Sequence, residues 1–197
     1  MEPVVLSLLL QALFVLLAFG WRTVVQLRKT GGTGFVAHRE RGLQAKAAGL
    51  ALTVGLLAVV VGTASADTRG GWDAVSVLGV AVMLAGLLVT LSAQRAMGSS
   101  WRIGVDADER TELVTAGLFG RVRNPIFTGM LLFAGGSALT VPTVVTVLGL
   151  VAAVAGIVAQ VHLVEEPHLR RLHGPAYDGF VARTGRFLPS RAGVAHG

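Results

Sequence analysis

The chain has 197 residues, 53% hydrophobic and 14% charged, with no cysteine and a formal net charge of +6. Soluble domains carry about a quarter charged residues. With a mean hydropathy of +0.68 and its apolar residues gathered in long runs, the chain is not an ordinary soluble domain and reads as an integral membrane protein. The missing cysteines exclude disulfides and thiolate metal sites. Its basic residues sit in short segments between apolar runs, so the positive charge is not a nucleic-acid-binding face.

Pro3 to Trp21 is the first predicted span, close to the roughly 20 apolar residues a bilayer core requires. A signal peptide would need a positive start, a shorter core and an A-x-A site. Met1-Glu2 supplies no positive start and no A-x-A follows, so a retained helix is expected. Arg22 to Lys46 is polar and basic and contains TGGTG at Thr30 to Gly34. A Gly-rich loop can cradle phosphate, but the GxxxxGK[ST] pattern is absent, and a flexible linker is predicted.

Ala47 to Ala66 is the second span, Asp67 to Gly71 a short turn, and Trp72 to Ala93 the third span. Trp21 and Trp72 fall at span ends, where interfacial indoles sit. Pro125 to Thr140 and Thr143 to Leu163 are spans four and five. The Val141-Pro142 break between them allows only an antiparallel hairpin. The predicted fold is all-α and polytopic, with five transmembrane helices, a helical hairpin core and a C-terminal helical segment. Residues 1–97 would carry spans one to three, and residues 98–197 the functional core.

Lys and Arg sort sharply between the loops. Six follow span one: Arg22, Arg28, Lys29, Arg39, Arg41 and Lys46. Only Arg69 follows span two. Five follow span three: Arg95, Arg102, Arg110, Arg121 and Arg123. The tail holds Arg170, Arg171, Arg183, Arg186 and Arg191. The positive-inside rule then places the C-terminus in the cytoplasm and the N-terminus outside, in the plasma membrane. The spans carry many small residues, Gly49 and Gly55, Ala81 and Ala85, Gly149 and Ala153, and Ala152 and Gly156, and small-xxx-small spacing allows close helix contact in lipid. They do not assign an oligomeric face. Within the spans Gln11 and the Ser and Thr residues read as isolated, which disfavours ion transport.

The chemistry-bearing residues crowd at the inner ends of spans three to five. Pro125 is placed as the first helical residue. The free N–H groups of that helix start make an anion site, with Arg121 and Arg123 within a turn. Glu165 and Glu166 end span five, where carboxylates oppose the helix dipole and call for a cationic partner. His162, His168 and His173 surround them, but their spacing is not a zinc spacing, and no metal is expected. Gly174-Pro175 breaks the next helix. Tyr177, Phe180 and Val181 then share one face of a short helix, followed by Arg183 and Arg186: an interfacial amphipathic helix, or a lid whose arginines hold an anion.

A Gly117-Leu118-Phe119 turn leads to Arg123-Asn124-Pro125-Ile126-Phe127 entering the hairpin. Glu165-Glu166, Leu169, Gly174, Tyr177, Phe180, Arg183 and Arg186-Phe187-Leu188-Pro189 follow in order. Together with Gly98 and Trp101, this set resembles the isoprenylcysteine carboxyl methyltransferase family, related to phospholipid N-methyltransferases, over roughly Gly98 to Pro189. The chain has Asn124 where that family usually has His, and Phe127 and Phe180 where it has Tyr. Asn can orient a ligand but cannot take a proton near neutral pH.

The resemblance implies S-adenosylmethionine as cofactor, held between the hairpin loop and the C-terminal segment. Arg123, or the helix start at Asn124-Pro125, would take its carboxylate, and Glu165 its ammonium. Adenosine would sit over Leu172, His173 and the Gly117–Leu118 backbone, with Phe127 and Arg183 completing the binding set. Asn124, Glu166 and Arg186 are the expected catalytic residues, with Glu166 and Arg186 facing the acceptor as base or carboxylate holder. A lipid-like or isoprenoid acceptor would arrive sideways from the bilayer. The competing expectations are a sterol-type membrane reductase using a reduced nicotinamide dinucleotide phosphate, and a non-enzymatic membrane scaffold.

Overall fold

The computed structural model describes residues 1–36, 42–67, 71–104 and 112–190. Arg39, Arg41, Arg69, Arg110 and Arg191, used above for the charge distribution, lie outside the described residues. The described residues form helices and turns, with only two isolated bridges, Phe35 to Ile103 and Val122 to Gly185.

Six helices carry the fold. α1 runs Pro3–Thr30 and α2 Leu43–Ala64. α3 is Ala74–Met97 and α4 is Pro125–Thr140. α5 runs Val144–His173 and α6 Pro175–Arg183. α1, α2, α3 and α5 are each long and apolar enough to cross a membrane; α4 is apolar and has 16 residues.

Two helices run further than the sequence suggests. The predicted linker from Arg22 begins as helix. α1 passes through a π-turn at Leu16–Trp21 and continues as Arg22–Thr30. The reason is packing, because Arg22 and Gln26 are buried on the face that continues the apolar stripe. Span five likewise does not stop at Glu165. α5 passes through a π-turn at Val161–Glu165 and resumes as Glu166–His173. Pro167 has no N–H to bond the Leu163 carbonyl, and its ring crowds that carbonyl. A π-turn just before it absorbs the misfit. The two glutamates therefore sit inside a helix, not at its C-terminus.

Caps fix the other ends. The Asp73 carboxylate accepts from the Ser76 N–H at 2.7 Å at the start of α3. Thr143 and Thr146 form a capping box at the start of α5. Gly174, at φ 50°, ends α5 in a conformation that favours glycine, and Pro175 opens α6.

The predicted hairpin exists as a tight turn between α4 and α5, but its arms lie along earlier helices. α4 packs along α3, and α5 along α2. Glycines make this contact. A methyl group at Gly79 would collide with Thr140 and the Gly136 carbonyl, and one at Gly55 with the backbone at Ala153 and Gly149. Of the predicted small-residue pairs, Gly55, Gly149 and Ala153 meet in this way, whereas Gly49 faces open space.

The core lies where α1, α3, α4 and α5 converge. It includes Phe14, Met83, Phe133 and Ile157, with the Phe14 and Phe133 rings 4.3 Å apart. Gln11 is not isolated within it. Its Nε2 donates to Thr63 Oγ1 at 3.0 Å and to Ser137 Oγ at 2.6 Å, tying α1 to α2 and α4.

A candidate active site at the α4 entrance

Pro125 is the first residue of α4, as its missing N–H requires, and the Asn124 side chain does not cap the helix. The chain before it, Val122 to Asn124, pairs alongside Gly185 to Phe187 of the C-terminal strap that follows α6. The Arg123 N–H donates to the Gly185 carbonyl at 2.8 Å, and the Asn124 N–H to the Arg186 carbonyl at 3.1 Å. Asn124 Nδ2 also donates to the Arg186 carbonyl at 3.2 Å, and Thr128 Oγ1 to the Phe187 carbonyl at 2.9 Å. Phe187 then packs against the core beside Phe127.

Glu166 stands at the centre. Arg186 grips it with two parallel bonds, Nε to Oε1 at 2.8 Å and Nη2 to Oε2 at 3.0 Å. Arg123 Nη2 donates to the same Oε1 at 3.2 Å. Paired N–H groups on a carboxylate are among the stronger contacts in proteins. Arg123 Nη1 also donates to the carbonyls of Val181, at 3.2 Å, and Thr184. One carboxylate on α5 thus ties the approach to α4 to the C-terminal strap. The bond to Glu166 raises the Arg186 guanidinium above its ordinary value, against the opposing effect of burial. Burial first, and the Glu166 charge second, push the Tyr177 phenol up to about 12.

A second cluster backs this network. Tyr177 and Phe180 of α6 are buried with Ala93 of α3 and Phe119 of the turn at Gly117–Gly120, and Leu118, Leu169 and Val181 pack around them. The shared face predicted for Tyr177, Phe180 and Val181 is the face that docks α6.

The structure brings together Arg123, Asn124, Pro125, Glu166 and Arg186. Glu165 precedes Glu166 in the π-turn. His173, two turns beyond Glu166, shares its face of α5. Leu172 is half-buried, and Gly117, at φ 61°, opens the Leu118 turn with an exposed backbone. Arg183 is exposed and takes no part in the Glu166 network. Glu166 and Arg186, expected to face an acceptor, bond each other. Arg123, expected to hold a ligand carboxylate, spends both Nη atoms within the protein. The reason is shared: the strap needs a counter-ion, and Glu166 is the buried carboxylate it reaches.

Two polar atoms at the site remain buried without a hydrogen-bond partner among the described residues, Arg123 Nε and His173 Nε2. Both are suited to a polar ligand. Sequence reasoning missed Thr184, Gly185 and Thr128. Thr184 and Gly185 act through backbone carbonyls, which leave no residue-type signal, and Thr128 acts through a hydroxyl whose partner, the Phe187 carbonyl, is 59 residues away.

The family model described as phospholipid methyltransferase matches residues 74–176, from the start of α3 into the first turn of α6. No curated protein sequence matches the chain. The family match spans more than half of the chain. The chain therefore belongs to this family of integral membrane methyltransferases, which includes the isoprenylcysteine carboxyl methyltransferases.

Proposed function

We propose that the protein is an S-adenosylmethionine-dependent methyltransferase acting on a lipid-like or isoprenoid acceptor at the membrane surface. The observation that carries this reading is the Glu166 network, which in a chain of this family closes the C-terminal strap over the α4 entrance beside two unpartnered polar atoms. Those atoms suit the cofactor: Arg123 Nε can donate to its carboxylate or adenine, and His173 Nε2 can pair with an adenine nitrogen. Glu165 supplies an anion for its ammonium. When bound, the cofactor supplies an activated methyl group on a sulfonium.

The residues of this chain then orient and exclude water. Glu166 fixes Arg123 and Arg186, which hold Asn124 and the strap in place. A carboxylate already accepting three N–H bonds is a poor proton acceptor, so Glu166 is a positioning residue, not a base. Phe127 and Phe187 give the entrance an apolar wall on the core side, suited to an acceptor arriving from the bilayer. Positioning of sulfonium and acceptor supplies most of the rate in such a transfer. In this reading α4 is a fifth span, and the site and C-terminus lie on the cytoplasmic face of the plasma membrane.

Titration of the purified protein, followed by thermal denaturation, tests the reading. A ligand at 100 times its Kd stabilises the native state by about 2.7 kcal/mol. S-adenosylmethionine or its demethylated product should raise Tm, and the reduced nicotinamide dinucleotide phosphate should not. Glu165→Gln should weaken cofactor binding by about 1.5–3 kcal/mol, the usual size for a charged hydrogen bond. A response to the nicotinamide dinucleotide alone would replace this reading with a reductase.

A further inference from the structure

Arg22 is buried more deeply than Arg123 or Arg186, and the candidate site does not use it. It lies one residue past the π-turn of α1 and is only 7% exposed. Its guanidinium stacks over the Trp101 ring, 4.8 Å from the centroid, and Nη2 donates to the Gly98 carbonyl. Nε and Nη1 are buried with no hydrogen-bond partner, and no carboxylate among the described residues pairs with it. Contrast Arg123 and Arg186, which share Glu166. A buried cation left without a counter-ion is costly, and no described residue supplies one.

We propose that Arg22 and the Gly98–Trp101 connector form a binding site for the phosphate of a membrane phospholipid, distinct from the Glu166 network. The placement argues for a lipid and against a free anion. Arg22 is the first charged residue after the apolar run of α1, next to the exposed Trp21, and exposed Arg28 and Lys29 follow one to two turns later. That depth is the boundary of acyl chain and head group, where indoles and basic residues gather.

The same face carries two amide acceptors. Gln26 Nε2 donates to the Ser99 carbonyl and Gln94 Nε2 to the Ala18 carbonyl, each at 2.8 Å. Their Oε1 atoms are buried without partners. A head group with hydroxyl donors, such as glycerol, satisfies those oxygens; a quaternary ammonium cannot. The cover over the site is the pairing of the loop at Gly34–Val36 with Ile103, two backbone hydrogen bonds of 2.8 and 2.9 Å. Their parting admits the lipid. π-turns often mark functional positions, and this one turns Arg22 towards the connector.

The test is native mass spectrometry of the full chain in non-ionic detergent with phosphatidylglycerol, phosphatidylcholine, diacylglycerol or inorganic phosphate. One phosphatidylglycerol should be retained per chain, with phosphatidylcholine weaker and the other two absent. Arg22→Met should cut retention at least tenfold without lowering the lipid-free Tm, while Arg28→Gln leaves retention unchanged. Hydrogen exchange on the wild type gives a readout that needs no variant: phosphatidylglycerol should protect amides of Gly98–Ile103. Equal retention by Arg22→Met, equal binding of inorganic phosphate, or no protection of that connector would overturn the proposal.

Discussion

The paired helices and the C-terminal strap are held by different forces. α2 with α5, and α3 with α4, meet backbone to backbone through glycines such as Gly55, Gly79 and Gly136. The strap from Thr184 to Pro189 is held by Glu166, two arginines and a few backbone bonds. In lipid there is no hydrophobic drive between helices, so close van der Waals packing has to supply association. At the polar end water competes for every donor, and charge pairing with partial burial takes over. Packing of the first kind gives a scaffold with one arrangement. Docking of the second kind can open locally without unfolding the scaffold, which suits a segment that must admit a ligand.

Glu166→Gln should break this contrast most forcefully. It leaves two arginines facing a neutral amide, and removing one partner of a buried ion pair costs about 3–5 kcal/mol. The loss should stay local. Hydrogen exchange should show the amides of 175–190 released while α2 and α5 stay protected. Equal loss of protection in both regions would show that strap and scaffold are one cooperative unit.

Gly79→Val should do the reverse. Added methyl groups meet Thr140 and the Gly136 carbonyl, and overpacking of this kind costs about 1–3 kcal/mol. The α3–α4 pair should loosen, and chemical denaturation should report a lower midpoint. A midpoint equal to that of the wild type would show that the helices can slide apart without loss.

The long apolar runs, the Pro125 helix start and the Gly174-Pro175 break were legible because each rests on local chemistry. Apolar length, a missing N–H and a positive φ act within a few residues. What stayed hidden depended on tertiary pairing. The helical continuation through Arg22 and Gln26 looks polar in sequence and becomes intelligible only once Gly98 and Ser99 are placed against it. Gln11 reads as a stray amide until Thr63 and Ser137 surround it. At the site, the sequence marks Arg123, Glu166 and Arg186 as important, yet their spacing of 43 and 20 residues from Glu166 does not say that they would bond one another. The partners of that glutamate could not be counted from the sequence.

Tyr177 sharpens the comparison through pH. Its phenol has an ordinary value of 10.0, and burial lifts it to about 12 in the fold. Between those values the unfolded chain has lost the proton and the folded chain has kept it. Stability therefore falls as pH rises through this window. The contribution is intact below pH 10.0 and is gone once pH passes about 12. The docking of α6 should loosen over this range, seen as a falling Tm, whereas Tyr177→Phe should flatten that limb. A limb of unchanged slope in the variant would assign it to other groups.

The smallest effect is expected at Asn124. Its Nδ2 makes one bond, to the Arg186 carbonyl at 3.2 Å. The strap keeps its backbone bonds at Arg123 and Asn124 and the Thr128 bond to the Phe187 carbonyl whatever side chain stands at 124. Asn124→Ala should therefore cost about 0.5–1.5 kcal/mol, the net worth of one neutral hydrogen bond. Asn124→His restores the residue usual in the resembling family and puts a ring N–H where the amide was, so the loss should be smaller still. Because the Asn124 amide cannot take a proton near neutral pH, neither change removes a base. Thermal denaturation of the two variants orders them, and titration with S-adenosylmethionine separates holding the strap from touching the ligand. Asn124→His should bind it as tightly as the wild type. A loss of several kcal/mol in the titration, with Tm little changed, would mean that Asn124 contacts the ligand directly and that the site lies closer to the start of α4 than the Glu166 network suggests.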